Sequence, residues 1–295
     1  MSRVFAEGPA AAIASLTHNN LVPAGTKLQI LNLGYLRVDE SFLRAGSNMW
    51  TESAGKPATH AVRKLEMYSV LIDHPSAGLI LWEVGPGQFD SYPETWGPVC
   101  DVFVPTDRNN MQALDVAVKN AGYSIDDVKH VIIGHLHLDH AGGLQYFKGR
   151  SDVKIWVHEI EFKHAFWAVG TGIDSAYQEF YLDLGLNWVT FNDPVVDLFP
   201  GITVHLSPGH AAGLLWLQVN LPQAGTIVFT SDHIHIRENY EYNQPQGWLL
   251  RDHTEWHRST FRLRQLQRLT NATLVFGHDI PTLDKFTAEF GNVIT

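Results

Sequence analysis

The chain has 295 residues, of which 45% are hydrophobic and 18% are charged, a composition typical of a globular protein with a large core. Its formal charge of −10, from 21 basic and 31 acidic residues, opposes attraction to nucleic acids and to anionic membranes. The single cysteine excludes an intrachain disulfide and is typical of a reducing compartment. We therefore expect a cytoplasmic protein that binds neither nucleic acid nor membrane.

The N-terminal part of the sequence predicts an arm followed by a strand. Glu7, Gly8 and Pro9 interrupt the apolar run that a signal peptide would need, so the residues up to about 26 are expected to form an N-terminal arm. Residues 27–38 have the composition of a strand. The polar connection 39–62 is the segment that we expect to contact a second copy if the protein is a homodimer.

The remaining elements are predicted from hydrophobic periodicity and from turn residues. A hairpin is expected from two β-branched runs, and Ser124 with Asp127 resembles a capping box for a single turn. The last helix is expected to begin at Thr254 as N-cap, with Leu263, Leu266 and Leu269 facing inward. The predicted strands are 65–72, 79–84, 128–134, 153–157, 202–206, 214–220, 226–230 and 273–276, and the predicted helical segments are 109–121, 158–185 and 254–270.

The order of these elements indicates the fold class. Strands come in runs with helices interspersed, which favours packed sheets flanked by helices over a doubly wound parallel sheet. No repeat and no linker divides the sequence, so residues 1–295 are expected to form one α+β domain.

The strongest local signal is the segment His135-Leu136-His137-Leu138-Asp139-His140. Two histidines two residues apart on an extended segment point the same way, and the next two polar residues follow where the chain turns. Imidazole nitrogens and carboxylate oxygens are ligands for zinc, iron, manganese and cobalt. The segment therefore predicts a metal site.

Three more polar residues follow predicted strands further along the chain. His210 comes after Ser207-Pro208-Gly209, Asp232 after the strand at 226–230, and His278 after the strand at 273–276. Side chains at strand ends can meet above a sheet, so the sequence predicts that these residues join the cluster.

With these motifs the sequence resembles the metallo-β-lactamase fold hydrolases, in the branch of the N-acyl homoserine lactonases. The resemblance extends from about residue 65 to 282 and implies an αββα sandwich with two metal ions at one edge. It implies that His135, His137 and His210 hold one metal, that Asp139, His140 and His278 hold the other, and that Asp232 bridges them. Zinc is the expected metal, with iron, manganese or cobalt as alternatives.

Two positions depart from the family pattern. The family commonly has Asp in a strand-end motif where this chain has Glu83, which is expected either to support the metal ligands with a longer arm or to be a simple strand-end carboxylate. Homoserine lactonases typically have tyrosine three residues after the bridging aspartate, where this chain has His235. We expect His235 to act near the metals, whereas His233 is expected only to pack.

The resemblance implies hydrolysis of a small cyclic ester. We expect a metal-bridging hydroxide to attack the carbonyl carbon, with Asp139 moving a proton and His235 hydrogen bonding to the oxyanion or the leaving group. Imidazolium is a better general acid near neutrality than a phenol. A γ-lactam or cyclic carbamate, such as a fused aromatic lactam, is therefore an alternative substrate. A noncatalytic metal-binding protein of the same fold is a further alternative. The substrate-binding candidates are Met49, Trp50, Phe166, Tyr181 and Trp248.

Overall fold

A computed structural model of the chain describes residues 20–47, 61–88, 95–107 and 112–295. The strands are β1 (Lys27–Asp39), β2 (Val62–His74), β3 (Gly78–Trp82), β4 (Val104–Thr106), β5 (Val128–Ile132), β6 (Lys154–His158), β7 (Trp188–Phe191), β8 (Val195–Phe199), β9 (Ile202–Leu206), β10 (Leu215–Leu221), β11 (Gly225–Phe229) and β12 (Thr273–Val275). The helices are α1 (Glu40–Leu43), α2 (Leu114–Asn120), α3 (Leu138–Ala141), α4 (Glu159–Thr171), α5 (Arg237–Glu241), α6 (His253–Thr270) and α7 (Ile280–Phe290).

The strands form two sheets. The first has seven strands in the order β4-β1-β2-β3-β5-β6-β7, and the second has five strands in the order β12-β11-β10-β9-β8. Strands β3, β5, β6 and β7 run parallel, while β1 and β2 form a long antiparallel pair. In the second sheet β9, β10 and β11 are antiparallel neighbours, and β12 runs parallel to β11.

Side chains of alternating orientation divide the core into layers. Val70, Ile80 and Ile132 of the first sheet pack with Leu217 and Phe229 of the second. The other face of the first sheet packs against α2 and α4, and the other face of the second packs against α6. The expected αββα sandwich is confirmed by this arrangement.

The topology places several strand ends at one edge of the sandwich. Strands β3 and β5 are parallel, so the residues that follow them, Glu83 and His135, emerge side by side. Because β9 and β11 are both antiparallel to β10, they run in the same direction, and β12 joins them. The two sheets also meet at this edge, where the amide of Leu215 donates to the carbonyl of Gly134 at 2.8 Å.

Several predicted boundaries differ from the structure. The helical segment expected at 158–185 ends at Thr171, because Gly172 takes a left-handed conformation with φ 65°. Within the described chain the helix expected at 109–121 covers only Leu114–Asn120. The short strands β4, β7 and β8 were not predicted.

The last predicted helix was correct in extent and wrong in two details. Asp252 caps it, with its side chain accepting from the amide of Glu255 at 2.9 Å, so Thr254 is not the N-cap. Leu263 and Leu266 are buried as expected, but Leu269 is 54% exposed, so the expectation that it faces inward was wrong. The capping box of Ser124 and Asp127 is confirmed.

Some expectations fall outside the described residues. Met49, Trp50 and most of the connection 39–62 lie there, as do residues 1–19 of the expected arm. The described end of that arm contacts the second sheet, since the side chain of Asn20 accepts from the amide of Gly201 at 2.8 Å. Across the described ranges, no helix has the length and apolar character that crossing a membrane requires.

Candidate metal centre and cavity

The seven predicted ligand residues converge at the edge where the strand ends meet. His135, His137, Asp139 and His140 follow β5 and continue into α3, whereas the remaining three follow β9, β11 and β12. Each half of the cluster therefore combines residues from both sheets. The groups of three residues whose ligand atoms lie within 4.8 Å of one another are His135/His137/His210, Glu83/His135/His140, Asp139/His140/His278 and His210/Asp232/His235.

In one half of the cluster, the imidazoles of His135, His137 and His210 face one another. The Nε2 atom of His210 lies 3.0 Å from Nδ1 of His137, and the rings of His135 and His137 have centroids 4.5 Å apart. All three side chains are buried. These three imidazoles could hold one metal ion.

The other half contains His140, His278 and Asp139. The Nε2 atoms of His140 and His278 lie 3.3 Å apart, and each lies 3.5 Å from Oδ2 of Asp139. Asp139 is partly exposed, with 17% of its side chain accessible. This group could hold a second ion.

Asp232 lies between the two halves. Its Oδ1 atom is 3.1 Å from Nε2 of His140 and 2.9 Å from Nε2 of His278. Its Oδ2 atom is 3.5 Å from Nε2 of His210 and 3.8 Å from Nε2 of His135. One carboxylate oxygen therefore faces each half, as a bridging ligand requires.

Hydrogen bonds to the outer nitrogen of three imidazoles define their tautomers. His140 donates from Nδ1 to Glu83 Oε2 at 2.8 Å, His278 donates from Nδ1 to the carbonyl of Glu66 at 2.8 Å, and His210 donates from Nδ1 to Gln246 Oε1 at 3.0 Å. A neutral imidazole protonated at Nδ1 keeps a lone pair at Nε2. These Nε2 lone pairs point into the cluster.

Glu83 connects both halves through its two oxygens. One oxygen accepts from His140, and the other accepts from the hydroxyl of Ser231 at 2.6 Å. Because that hydroxyl proton is already donated, Ser231 accepts from Nδ1 of His135 at 3.2 Å. Glu83 is buried and has a left-handed φ of 57°, a conformation that costs on the order of 1 kcal/mol or more for a residue with a side chain. The longer arm considered for this position reaches the imidazoles.

Burial and charge separate the two halves electrostatically. Burial lowers the pKa of His137 to about 3 and holds the pKa of His135 and of His210 well below the usual range. Burial also acts on His140 and His278, but the Asp232 carboxylate outweighs it and raises the pKa of both. Asp232 is buried too, yet the surrounding imidazoles hold its pKa well below the ordinary value. The Asp232 carboxylate is therefore ionised.

The donor set fits divalent metal ions. Within the described part of the chain, Nε2 of His135 and Nε2 of His137 are buried without a hydrogen-bond partner, which is costly for a polar atom unless a ligand satisfies it. Nε2 of His140 and Nε2 of His278 face each other at 3.3 Å beside the Asp232 carboxylate, an arrangement that a bound cation stabilises. Histidines with hydrogen-bonded outer nitrogens are typical of metal ligands.

A cavity of about 270 Å³ opens beside the cluster. The part of its lining that the cluster contributes, here called the floor, includes Asp139, Asp232 and His235, and Asp174 and Ser175 also line the cavity. The apolar lining residues are Leu36, Phe42, Leu65, Trp96, Val99, Phe103, Leu138, Ala176, Trp248 and Leu249.

The substrate-binding candidates have different positions. Trp248 lines the cavity and is 79% exposed. Phe166 is not among the lining residues and packs instead against Phe162 and Trp188. Tyr181 is fully buried, is likewise not a lining residue, and donates its hydroxyl to the carbonyl of Leu136 at 2.6 Å. Of these three residues, only Trp248 lines the cavity.

The two histidines after Asp232 differ in their surroundings. Nε2 of His235 lies 3.0 Å from Oδ2 of Asp232, and its Nδ1 is buried with no hydrogen-bond partner among the residues that the structure describes. His233 does not line the cavity; it packs between Trp216 and Trp256 and bonds to Thr260 at 3.1 Å.

Sequence reasoning missed several residues that support the cluster. Ser231 and Gln246 bond to predicted ligands, and Glu161 bonds to the backbone beside them. Ser231 is adjacent to Asp232 and could have been suspected from that position. Gln246 and Glu161 stand in segments without a recognisable motif, and only their tertiary contacts reveal them.

Comparisons with known proteins extend these findings. A family profile described as the metallo-beta-lactamase superfamily matches residues 68–278. The N-acyl homoserine lactonase AiiB of Agrobacterium fabrum is 31% identical over 272 residues, which cover 86% of this chain and 94% of that protein. The N-acyl homoserine lactonase AttM of Azorhizobium caulinodans is 31% identical over 218 residues, which cover 71% of this chain and 80% of that protein.

Solved structures share the fold. A mutant of the AiiA protein of B. thuringiensis, with N-decanoyl-L-homoserine bound at its active site, superposes with a TM-score of 0.72 at 24% identity and covers 88% of this chain and 95% of its own. AidC, described as a dizinc quorum-quenching lactonase, superposes with a TM-score of 0.62 at 17% identity and covers 87% of this chain and 88% of its own.

Proposed function

This chain belongs to the metallo-β-lactamase superfamily and is a metal-dependent hydrolase, and we propose that it uses two divalent metal ions to open a small cyclic ester, an N-acyl homoserine lactone or a similar lactone. The observation that carries this proposal is the convergence of seven candidate ligand side chains, five of which line a cavity with an apolar wall. The names of AiiB and AttM, both N-acyl homoserine lactonases, support the lactone.

The two halves of the cluster would each hold one ion. His135, His137 and His210 would bind the first, Asp139, His140 and His278 the second, and Asp232 would bridge them. Such ions supply Lewis acidity and lower the pKa of water. The imidazole-rich donor set is compatible with zinc, which we propose as the metal, and with iron, manganese or cobalt.

The chain's own residues would position the substrate and move a proton. The Asp139 carboxylate lies on the cavity floor and is partly exposed, so it can take a proton from the attacking water and return it to the leaving oxygen. His235, also on the floor, can hydrogen bond to the oxyanion or to the leaving group. The apolar wall would hold an acyl chain and exclude water from the ester.

A second candidate substrate is a γ-lactam or cyclic carbamate. A nitrogen leaving group gains more from a proton donor than an alkoxide does, and His235 supplies an imidazole on the cavity floor. Among the described residues its Nδ1 has no hydrogen-bond partner, so a substrate atom that reached this nitrogen would displace no existing bond. This observation favours keeping cyclic amides in the test.

The decisive experiment compares ring-opening rates of the metal-loaded protein. N-acyl homoserine lactones with short and long acyl chains, simple γ-lactams and fused aromatic lactams are assayed side by side, and metal content is measured by elemental analysis. We expect two ions per chain and the fastest turnover on a lactone. A fully active protein without metal, or a protein with two bound ions that opens none of these rings, would refute the proposal.

Two sets of variants sharpen the assay. Asp232→Asn and His137→Gln should abolish both metal content and turnover, whereas His257→Gln, on α6 and outside the cluster, should leave both unchanged. His235→Phe separates the two substrates: it should reduce lactam opening more than lactone opening if the histidine donates the proton. Equal losses on both rings would remove the support for the cyclic amide.

A further inference from the structure

A buried carboxylate outside the cluster joins the two loops that carry three of its imidazoles. Glu161 of α4 is fully buried, and Oε1 accepts from the amide of Leu136 at 3.0 Å while Oε2 accepts from the amide of Gly213 at 2.9 Å. Leu136 lies between His135 and His137, and Gly213 lies three residues after His210. One side chain therefore holds both loops.

The packing around Glu161 leaves little freedom to these loops. A Cβ atom on Gly213 would lie 2.4 Å from the backbone nitrogen of Glu161, so the loop rests directly on the first turn of α4. The hydroxyl of Tyr177 also donates to Oε1 of Glu161 at 3.0 Å, and its ring contacts that of His137 with centroids 4.7 Å apart. Buried backbone amides without an acceptor are costly, so the carboxylate fixes where both loops run.

We infer that Glu161 is a positioning residue for one half of the metal centre, the half formed by His135, His137 and His210. The inference rests on the proposed function insofar as that half binds a metal ion. Glu161 touches neither that ion nor a substrate; it sets the separation between the loop after β5 and the loop after β9.

The role is confined to one half because the other half has different supports. His140 is oriented by Glu83 and His278 by the carbonyl of Glu66, and neither bond involves Glu161. Loss of the Glu161 carboxylate should therefore lower the metal affinity of the two halves by different amounts. A residue that merely stabilises the core would not produce this asymmetry.

Glu161→Gln is the most informative substitution because it preserves size. An amide offers one acceptor oxygen where the carboxylate offers two, so either Leu136 or Gly213 faces an NH₂ group and its own N–H is left unpaired. Removing such a supporting bond typically lowers metal affinity about 10- to 100-fold.

The experiment is a double-mutant cycle on zinc affinity, measured by competition with a chelator. His278→Gln leaves only the His135/His137/His210 half complete, and His210→Gln leaves only the other half. We expect Glu161→Gln to weaken the remaining zinc about 10- to 100-fold in the first background and less than about threefold in the second. Equal weakening in both backgrounds, or none in either, would overturn the inference.

Two further variants serve as controls. Tyr177→Phe removes one donor to Glu161 and keeps the ring on His137 and both backbone bonds, so it should change zinc affinity by less than about threefold in either background. Glu238→Gln makes the same chemical change at a carboxylate that pairs with Arg63, and it should leave both affinities unchanged. If Glu161→Gln does not fold, Glu161→Asp shortens the side chain, keeps both acceptors and should show the same asymmetry.

The outcome separates this inference from the proposed function. Two bound zinc ions, no ring opening and an asymmetric effect of Glu161→Gln would refute the proposed function alone. Ring opening with two zinc ions and a symmetric effect would refute the inference alone. A wild-type protein that binds fewer than two zinc ions would refute both.

Discussion

Glu83 is the side chain whose loss should disturb both halves of the centre at once. Its two oxygens accept from His140 and from Ser231, and Ser231 in turn accepts from His135. Replacing it by glutamine keeps the size of the side chain and turns one acceptor into a donor. Each of the two orientations of the amide then forces a change of tautomer.

If the NH₂ group faces Ser231, the serine hydroxyl reverses and donates to Nδ1 of His135, which moves the proton of that ring to Nε2. If it faces His140, the same happens to His140. In either case one imidazole loses the lone pair that it directs into the cluster, or an N–H is left facing another N–H.

The expected magnitude follows from this geometry. Loss of an outer-shell partner of a metal ligand typically costs about 10- to 100-fold in affinity, which corresponds to about 1.4–2.8 kcal/mol. Glu83→Gln should therefore bind zinc about 10- to 100-fold more weakly in competition with a chelator, and turnover should fall with occupancy.

The control is Ser231→Ala, which breaks only the connection to His135 and leaves the bond between Glu83 and His140 intact. This variant should lower the affinity for one of the two zinc ions. A folded Glu83→Gln protein that binds both zinc ions with wild-type affinity would refute the tautomer argument.

Three other predictions concern stability. Burial raises the pKa of Glu66 from 4.5 to about 7, so the folded state binds this proton more tightly than the unfolded state does. The free energy of unfolding should therefore fall as pH rises between these two values. In urea unfolding of the metal-free protein, Glu66→Gln should remove that part of the pH dependence. A Cβ on Gly134 would lie 2.4 Å from Oε1 of Glu83, so Gly134→Ala should lower the free energy of unfolding by about 1–3 kcal/mol. On α4, a Cβ on Gly170 would have no described atom within 4 Å, so Gly170→Ala should raise the free energy of unfolding by up to about 1 kcal/mol. The reverse order of stabilities would contradict the packing argument. Removing the metal with a chelator should lower Tm, and adding zinc back should restore it, with about 4 kcal/mol of stabilisation when free zinc is about 1,000 times Kd; an unchanged Tm would show that the native state does not bind the metal preferentially.

The sequence predicted the residues that carry strong local patterns. The spacing of the segment from His135 to His140 is enough to indicate a metal site. His210, Asp232 and His278 each follow a run whose composition predicts a strand. Their convergence depends on the strands β5, β9, β11 and β12 ending at one edge, which the predicted order of elements permits and the family resemblance implies.

The sequence failed where the decisive interaction is between distant parts of the chain. Glu161 stands in an ordinary helix, and nothing nearby signals that it accepts from Leu136 and Gly213. Leu269 has the spacing of a core residue, but it is 54% exposed. Tyr181 is the kind of aromatic residue that often lines a pocket, yet its hydroxyl donates to the backbone carbonyl between two candidate ligands, His135 and His137.

The division of the ligands between the two sheets has a consequence for the dynamics of the sandwich. Each half takes residues from the segment after β5 and one residue from the second sheet, and the bridging carboxylate also comes from the second sheet. A bound pair of cations would therefore link the two sheets. Amide hydrogens of β5 and β9 should then exchange with solvent in a single cooperative opening in the metal-bound protein, and in separate openings in the metal-free protein.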